Sequence, residues 1–358
     1  MKGTDALREL GQSIWLDNIT RAMLDDGTEQ RYIDELSVTG QTSNPTIFDK
    51  AISGGNDYDE QIAELREAGK EAEEIFFELA LTDLNRAAKM FASIHKSTDH
   101  VDGWVSLEVS PTLAYDTEAT IKQAADLHSR ADENVFIKIP GTPEGLPAIE
   151  ESIYAGVPIN VTLLLSTDQL LAAADAYMKG IERRFSDGLD PKVPSVLSLF
   201  ISRWDVKVHD DVPKEMQNTL GVAVGQATYK AWLELLESDR WQGLADQGAM
   251  VQRLLFASTG TKDPEASDTL YVEAFAAPDT INTMPDKTLL ALADHGEIKG
   301  AMPTDGGDSE QVFQAHRDQD IDVDSLGEVL QKEGADAFVK SWKELLKTIE
   351  SESARLAA

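Results

Sequence analysis

Short apolar runs alternate with longer segments of helical period along most of this chain. Apolar runs of roughly four to eight residues bounded by turn formers read as buried strands, and apolar positions three and four apart read as helices. Strands are expected at Ser13–Asp17, Thr39–Ser43, Trp104–Val109, Asn134–Ile139, Val157–Thr162, Pro194–Phe200, Arg253–Ala257 and Asp279–Thr283. Helical stretches between them include Glu71–Ile94, Thr117–Ala131, Thr167–Phe185 and Lys214–Leu236. Ser166 with Gln169 fits a capping box, and Thr142-Pro143 would set proline at a first helical position. Strands alternating with helices imply parallel pairing through helical crossovers. At a count of eight, a closed (β/α)8 TIM barrel is favoured over an open doubly wound sheet. The α/β chain is read as a single domain, residues 1–358. It is longer than the roughly 250 residues of a minimal barrel, so extra helices are expected. Gly300–Ser309 reads as a loop, and residues 309–358 as a helical C-terminal extension packed on the barrel. Within it, Val323–Arg355 places Leu326, Val329, Leu330, Phe338, Trp342, Leu345 and Leu346 at helical spacing.

Composition narrows the partners. With 42% hydrophobic residues the chain can bury a sizeable core, and without cysteine it has neither disulfides nor thiol chemistry. The first residues, MKGTDALREL, lack the apolar core of a secretory signal. No stretch approaches the roughly 18 apolar residues a membrane helix needs, so a soluble, cytoplasmic protein is expected. Sixty-four acidic against 32 basic residues give a net charge of −32. That field repels nucleic acid and anionic membranes. Both salt adaptation and a merely well-solvated surface fit it. An anionic small molecule would have to be met by isolated Arg or Lys residues.

Those isolated cations matter most at strand ends, where barrels of this kind carry their chemistry. Lys138 sits inside Asn134-Val-Phe-Ile-Lys-Ile-Pro140. Lysine is seldom buried without a partner, and desolvation favours its neutral amine, a nucleophile toward carbonyls. Taken alone, a lysine on an edge or reaching to solvent is the better explanation of the run. Its companions tip the balance. Expected strand ends carry Asp17, Asn44, Glu108, Ser110, Asn160, Thr162, Ser198, Arg203 and Lys262. Asn44, Ser110 and Asp17 each have a plain alternative as local caps or backbone acceptors. Glu108, between Leu107 and Val109, would be a desolvated carboxylate with a raised pKa. Asn160 and Thr162, two apart in a strand, point to one face. An amine, two carboxylates and several neutral hydrogen-bonders suit carbon–carbon bond chemistry on a polyhydroxy ketone, with an iminium as electron sink. Arg203 and Lys262 are candidates to hold a phosphate. The six histidines, His95, His100, His128, His209, His295 and His316, fall on none of these ends. Metal-dependent aldol chemistry is therefore disfavoured, and a metal site is not expected.

The runs SIWLDN, TGQTSNPTIF, VSLEVSP, VFIKIPGTPEGLPAI, GVPINVTLL and LFASTGTKDP, in this order over most of the chain, resemble transaldolases of the longer bacterial type. The resemblance implies a class I aldolase barrel and transfer of a dihydroxyacetone unit without metal or cofactor. Donors would be sedoheptulose 7-phosphate or fructose 6-phosphate. Acceptors would be glyceraldehyde 3-phosphate or erythrose 4-phosphate, in the non-oxidative pentose phosphate pathway. It further implies Lys138 as the Schiff-base lysine and Asp17 as the base for the C4 hydroxyl. Glu108 would be the acid/base acting through a water that Thr162 orients. Asn44 and Asn160 would bind substrate hydroxyls, and Ser198 and Arg203 match a serine–arginine pair whose arginine binds phosphate. One departure stands out. The family often has a second arginine after strand seven, in a Ser-Phe-Arg context, whereas this chain reads Ser258-Thr-Gly-Thr-Lys262. Lys262 is the substitute, with a glycine nearest the expected position. A Schiff-base aldolase that releases free dihydroxyacetone, or a non-catalytic sugar-phosphate-binding protein, would draw on the same residues.

Overall fold

In a computed structural model, which describes residues 2–357, eight parallel strands close into one barrel in chain order. They are β1 (Ser13–Asp17), β2 (Val38–Thr42), β3 (Val105–Glu108), β4 (Val135–Pro140), β5 (Ile159–Leu164), β6 (Ser195–Phe200), β7 (Arg253–Ala257) and β8 (Ile281–Met284). β1 and β7 match the sequence reading residue for residue. β5 starts two residues later than expected because Gly156, at φ 89°, turns the chain just before it. β8 likewise starts after Asp279, which sits at φ 60°. The apolar strand faces pack against the surrounding helices in one continuous core, as parallel sheets covered on their outer side require.

The helix starts follow local chemistry. Ser166 accepts from Gln169 N at 3.2 Å, while the Gln169 side chain accepts from Leu165 N at 2.8 Å, one residue before the position a capping box would use. Pro143 lies in the turn before its helix, which begins at Gly145 with Thr142 Oγ1 accepting from Gly145 N. The segment expected as one helix from Lys214 divides into a 3-10 turn, Lys214–Met216, and a helix, Leu220–Glu237. Asn218, at φ 61°, separates them.

Three helices beyond the minimal barrel cluster on one side. Pro45–Ser53 and Asp59–Glu67 are inserted before the long helix Ala72–Ser97, and the terminal helix Val323–Arg355 lies against all three. Trp342 anchors that helix, 4.9 Å from the Phe76 ring and 5.7 Å from Phe77. No helix among the described residues is long and apolar enough to cross a membrane.

Inside the barrel, the N-terminal half is aromatic. Trp104 stacks on Phe136 at 4.0 Å and Trp15 lies 6.3 Å from Phe136. Gly40 admits this layer: a Cβ there would stand 2.5 Å from Trp15 Nε1 and 2.7 Å from the Trp104 carbonyl. Above this floor, toward the C-terminal strand ends, the interior turns polar.

Candidate active site

The register of β3, β4 and β5 sets Glu108 beside Lys138 and Lys138 beside Asn160. Because paired residues in a sheet share a face, all three side chains enter the barrel at one level. Lys138 is 6% exposed and Glu108 5%. Lys138 Nζ lies 3.3 Å from Glu108 Oε2 and donates to the Ser43 carbonyl at 3.1 Å. The two Glu108 oxygens, although buried, make no directed hydrogen bond. Burial pushes the Glu108 carboxyl above the usual carboxylate range, and the Lys138 charge opposes that only in part.

Asp17 ends β1 and opens onto a cavity of about 300 Å³. Its Oδ1 accepts from Thr42 Oγ1 at 2.8 Å, and Thr42 Oγ1 is 2.7 Å from Thr283 Oγ1, so β1, β2 and β8 jointly hold it. Burial raises its carboxyl above the usual range, opposed first by Lys138 and then by the Thr42 bond. On β5 and β6, Ser198 donates to Asn160 Oδ1 at 2.7 Å, and Asn160 Nδ2 donates to Ser106 Oγ at 3.2 Å. Thr162 points into the cavity, its hydroxyl buried and without a protein partner. The next residue, Leu163, is held at φ 62° where the β5–β6 register shifts. A leucine in that region is strained, and such irregularities beside strand ends re-aim neighbouring side chains. Gln331 of the terminal helix offsets the strain. Its Nε2 donates to the Leu163 carbonyl at 3.1 Å and the Gly141 carbonyl at 3.0 Å.

Arg203, in the helix Ser202–Val208, lies 5.7 Å from both the Phe200 and Phe338 rings. It makes no hydrogen bond or ion pair among the described residues, and burial lowers its pKa. A half-buried, unpaired guanidinium in a chain of net charge −32 is prepared for an anion. Lys262 lines the same cavity and is close enough to Asp17 to lower its pKa. Asn44 caps the helix Pro45–Ser53, accepting from Ile47 N at 3.1 Å, and also faces the cavity; the capping alternative and the site position coexist. Ser110 pairs its Oγ with Thr112 Oγ1 and donates its backbone N–H to Gln123 Oε1, but its side chain caps no backbone N–H of the following turn.

All nine expected site residues thus come together: seven line the cavity, Glu108 lies against Lys138, and Asn160 against Ser198. Sequence reading missed Lys50 and Phe338, which also line it. Lys50 had a signal, since Thr46, Ile47 and Lys50 share one face of the helix that Asn44 caps. Phe338 had none, because the terminal helix, far downstream of β7 in sequence, delivers it.

Comparison with known proteins identifies the family. The sequence profile of the family described as Transaldolase/Fructose-6-phosphate aldolase matches residues 14–349. A protein of Saccharopolyspora erythraea named Transaldolase is 42% identical over 353 residues, covering 96% of this chain and 96% of the relative. An Arthrobacter protein of the same name is 42% identical over 357 residues, with 97% and 96% covered. A Nostoc protein named Transaldolase 2 is 37% identical over 364 residues, with 96% of each covered.

Proposed function

Because this chain belongs to the transaldolase/fructose-6-phosphate aldolase family, we propose that it moves a dihydroxyacetone unit from a ketose phosphate to an aldose phosphate through an imine on Lys138. Sedoheptulose 7-phosphate or fructose 6-phosphate would be donor, and glyceraldehyde 3-phosphate or erythrose 4-phosphate acceptor, as in the non-oxidative pentose phosphate pathway. The observation that carries the reading is Lys138, buried at a strand end with Glu108 at 3.3 Å and Asp17 in the same cavity.

The chemistry follows from that placement. Lys138 Nζ adds to the ketose C2 carbonyl, and the carbinolamine loses water to give an iminium. Glu108, held protonated more readily than an exposed carboxylate, supplies and recovers protons in these steps. Thr162 Oγ1 and Glu108 Oε1 are both buried without a hydrogen-bond partner among the described residues, which suits a water between them. Asp17 then takes the proton of the C4 hydroxyl and the C3–C4 bond breaks. Its electrons flow to the iminium nitrogen, and the aldose phosphate leaves as an aldehyde. The resulting enamine attacks the acceptor aldehyde, Asp17 returns its proton to the new hydroxyl, and hydrolysis frees Lys138. Arg203, Lys262 and Lys50 surround the outer cavity and would hold the phosphate of the departing and arriving aldose.

Borohydride reduction in the presence of fructose 6-phosphate, followed by peptide mapping, tests this. The adduct is expected on Lys138; an adduct elsewhere, or none, overturns the reading. The matched family's name also covers fructose-6-phosphate aldolase, in which water would replace the acceptor. Dihydroxyacetone release with and without erythrose 4-phosphate separates the two, because rapid release without acceptor contradicts transfer.

A further inference from the structure

Behind β1, outside the barrel and away from the reacting lysine, lies a buried acid the mechanism does not use. Glu29, on the helix Thr28–Leu36, is 0% exposed. Its Oε2 accepts from Gln41 Nε2 at 3.0 Å, and the same Gln41 nitrogen donates to the Asn18 carbonyl at 2.6 Å. Asn18 Nδ2 in turn donates to Asp286 Oδ2 at 2.7 Å. Two atoms of this chain are left over: Glu29 Oε1 and Gln41 Oε1 are both buried and have no hydrogen-bond partner among the described residues.

The two leftover atoms explain each other if Glu29 is the neutral acid. An acid facing an amide closes a two-bond pair, with the amide N–H donating to one carboxyl oxygen and the other oxygen's O–H donating to the amide oxygen. One of those bonds is already present at 3.0 Å. An ionised Glu29 would instead offer Gln41 Oε1 no donor, and a buried amide oxygen left without one is costly.

The register shows what the pair supports. β1 and β2 align Asp17 with Thr42 and Leu16 with Gln41. Thr42 holds the Asp17 carboxylate from inside the barrel, while Gln41, pointing the opposite way, holds the carbonyl of the next residue, Asn18, from outside. The Asp17–Asn18 turn is therefore gripped on both faces by consecutive residues of one strand.

We propose that Glu29 is a positioning residue for Asp17: as a neutral acid it donates to Gln41 Oε1, and so fixes the amide that clamps the Asn18 carbonyl. The inference rests on the proposed role of Asp17 in C3–C4 cleavage. Burial, with the Asp286 carboxylate adding to it, pushes Glu29 up to about 8, and the Gln41 bond opposes them. The other titratable groups around it are Tyr32 and Arg31 of its own helix, with Asp286 from the helix after β8 and Asp17 beyond that. No cation is paired with it among the described residues. Ionisation of Glu29 at alkaline pH removes the donor and loosens the clamp.

Steady-state turnover against pH, read together with borohydride trapping on Lys138, tests the proposal. Gln41→Met and Glu29→Met should lower kcat about tenfold or more with little change in KM, since misplacing a catalytic group by about 1 Å is enough for that. Imine formation does not need Asp17, so the trapped Lys138 adduct should persist or accumulate in both variants. A variant that is merely unstable would lose turnover and adduct together, and that result overturns the proposal. Glu29→Gln keeps one donor and one acceptor; it should restore turnover near pH 7 to within about twofold of the parent. It should also lose the alkaline decline expected of the parent above about pH 8. Superimposed pH profiles for the parent and Glu29→Gln overturn the proposal as well. Absence of any Lys138 adduct in the parent would instead mark failure of the Schiff-base reading itself.

Discussion

The two ends of the barrel interior treat buried polar groups in opposite ways. At the N-terminal end, Arg253 donates to Asp279 O at 3.1 Å, Val101 O at 3.2 Å, Thr280 O at 3.0 Å and Ser13 Oγ at 2.7 Å. The charge is buried and its donors are matched by fixed acceptors. At the C-terminal end, both Glu108 oxygens and the Thr162 hydroxyl are buried without a directed protein hydrogen bond, beside an amine. Size does not mark the site. A hollow of about 480 Å³ lined by Trp104, Phe136, Tyr229 and Trp232 lies at the N-terminal end, larger than the cavity of about 300 Å³ over Lys138. Buried polar groups are normally satisfied, so a cluster left short of partners at one end indicates atoms reserved for substrate or water. Satisfied burial holds the barrel shut; unsatisfied burial prepares chemistry.

Substitutions at two positions break that contrast most directly. Lys138→Ala should lower turnover by about 10³-fold or more, since it removes the amine held beside Glu108 that forms the imine. Lys138→Arg should do the same, because a guanidinium stays protonated. Circular dichroism and thermal melting should show both variants folded. The opposite signature is expected at Arg253. Arg253→Met strands four acceptors in the interior and should cost about 3 kcal/mol of stability, measured by denaturant titration. The imine-forming chemistry of the molecules that remain folded should be unchanged, because Arg253 begins β7 and the cavity lies at its other end.

What could be read from the chain divides along the same line. The strands were legible because each is a short apolar run between turn formers, and their number implied closure. The site was legible wherever a polar residue interrupts such a run at its C-terminal end: Asp17, Glu108, Lys138, Asn160 and Thr162 all do so. Three features were not legible, each for a physical reason. The strained Leu163 looks like any strand leucine, because its φ of 62° is imposed by the β5–β6 register and by Gln331 from the terminal helix. Phe338 reaches the cavity only through tertiary packing. Gly334, one turn earlier, allows it, since a Cβ there would stand 2.7 Å from Leu163 Cδ1. The pair Glu29–Gln41 reads as a surface acid and a strand glutamine, and only burial reveals it as a polar link. A cation expected from the family pattern after β7 is also better understood in three dimensions. Lys50, from a helix far away in sequence, joins Lys262 and Arg203 around the same cavity.

Glu29 sharpens the comparison through pH. Its carboxyl is held well above the ordinary range, so the folded chain binds this proton more tightly than the unfolded chain does. The contribution to stability is therefore complete below the ordinary glutamate value, and is lost as pH rises toward about 8. Glu29→Gln, which cannot ionise, should melt at a temperature close to the parent's near pH 5 and a few degrees above it near pH 8.5. Melting curves that shift in parallel at both pH values would show that Glu29 is not held neutral.

The smallest effect is the most diagnostic, because stability and activity should move in opposite directions. Thr162→Val replaces a buried, unpartnered hydroxyl by a methyl of nearly the same shape. Removing an unsatisfied polar group from the interior should stabilise the chain by about 1 kcal/mol. Turnover should nonetheless fall about tenfold, because the hydroxyl that would orient the proton-carrying water beside Glu108 is gone. Imine formation should slow, and borohydride trapping should show adduct appearing more gradually on Lys138. If the hydroxyl merely filled space, stability would rise and trapping would keep its pace. If it were an unseen structural bond, stability would fall with activity, as at Arg253. A gain in stability paired with a slower imine is the outcome that separates a polar group kept for chemistry from one kept for the fold.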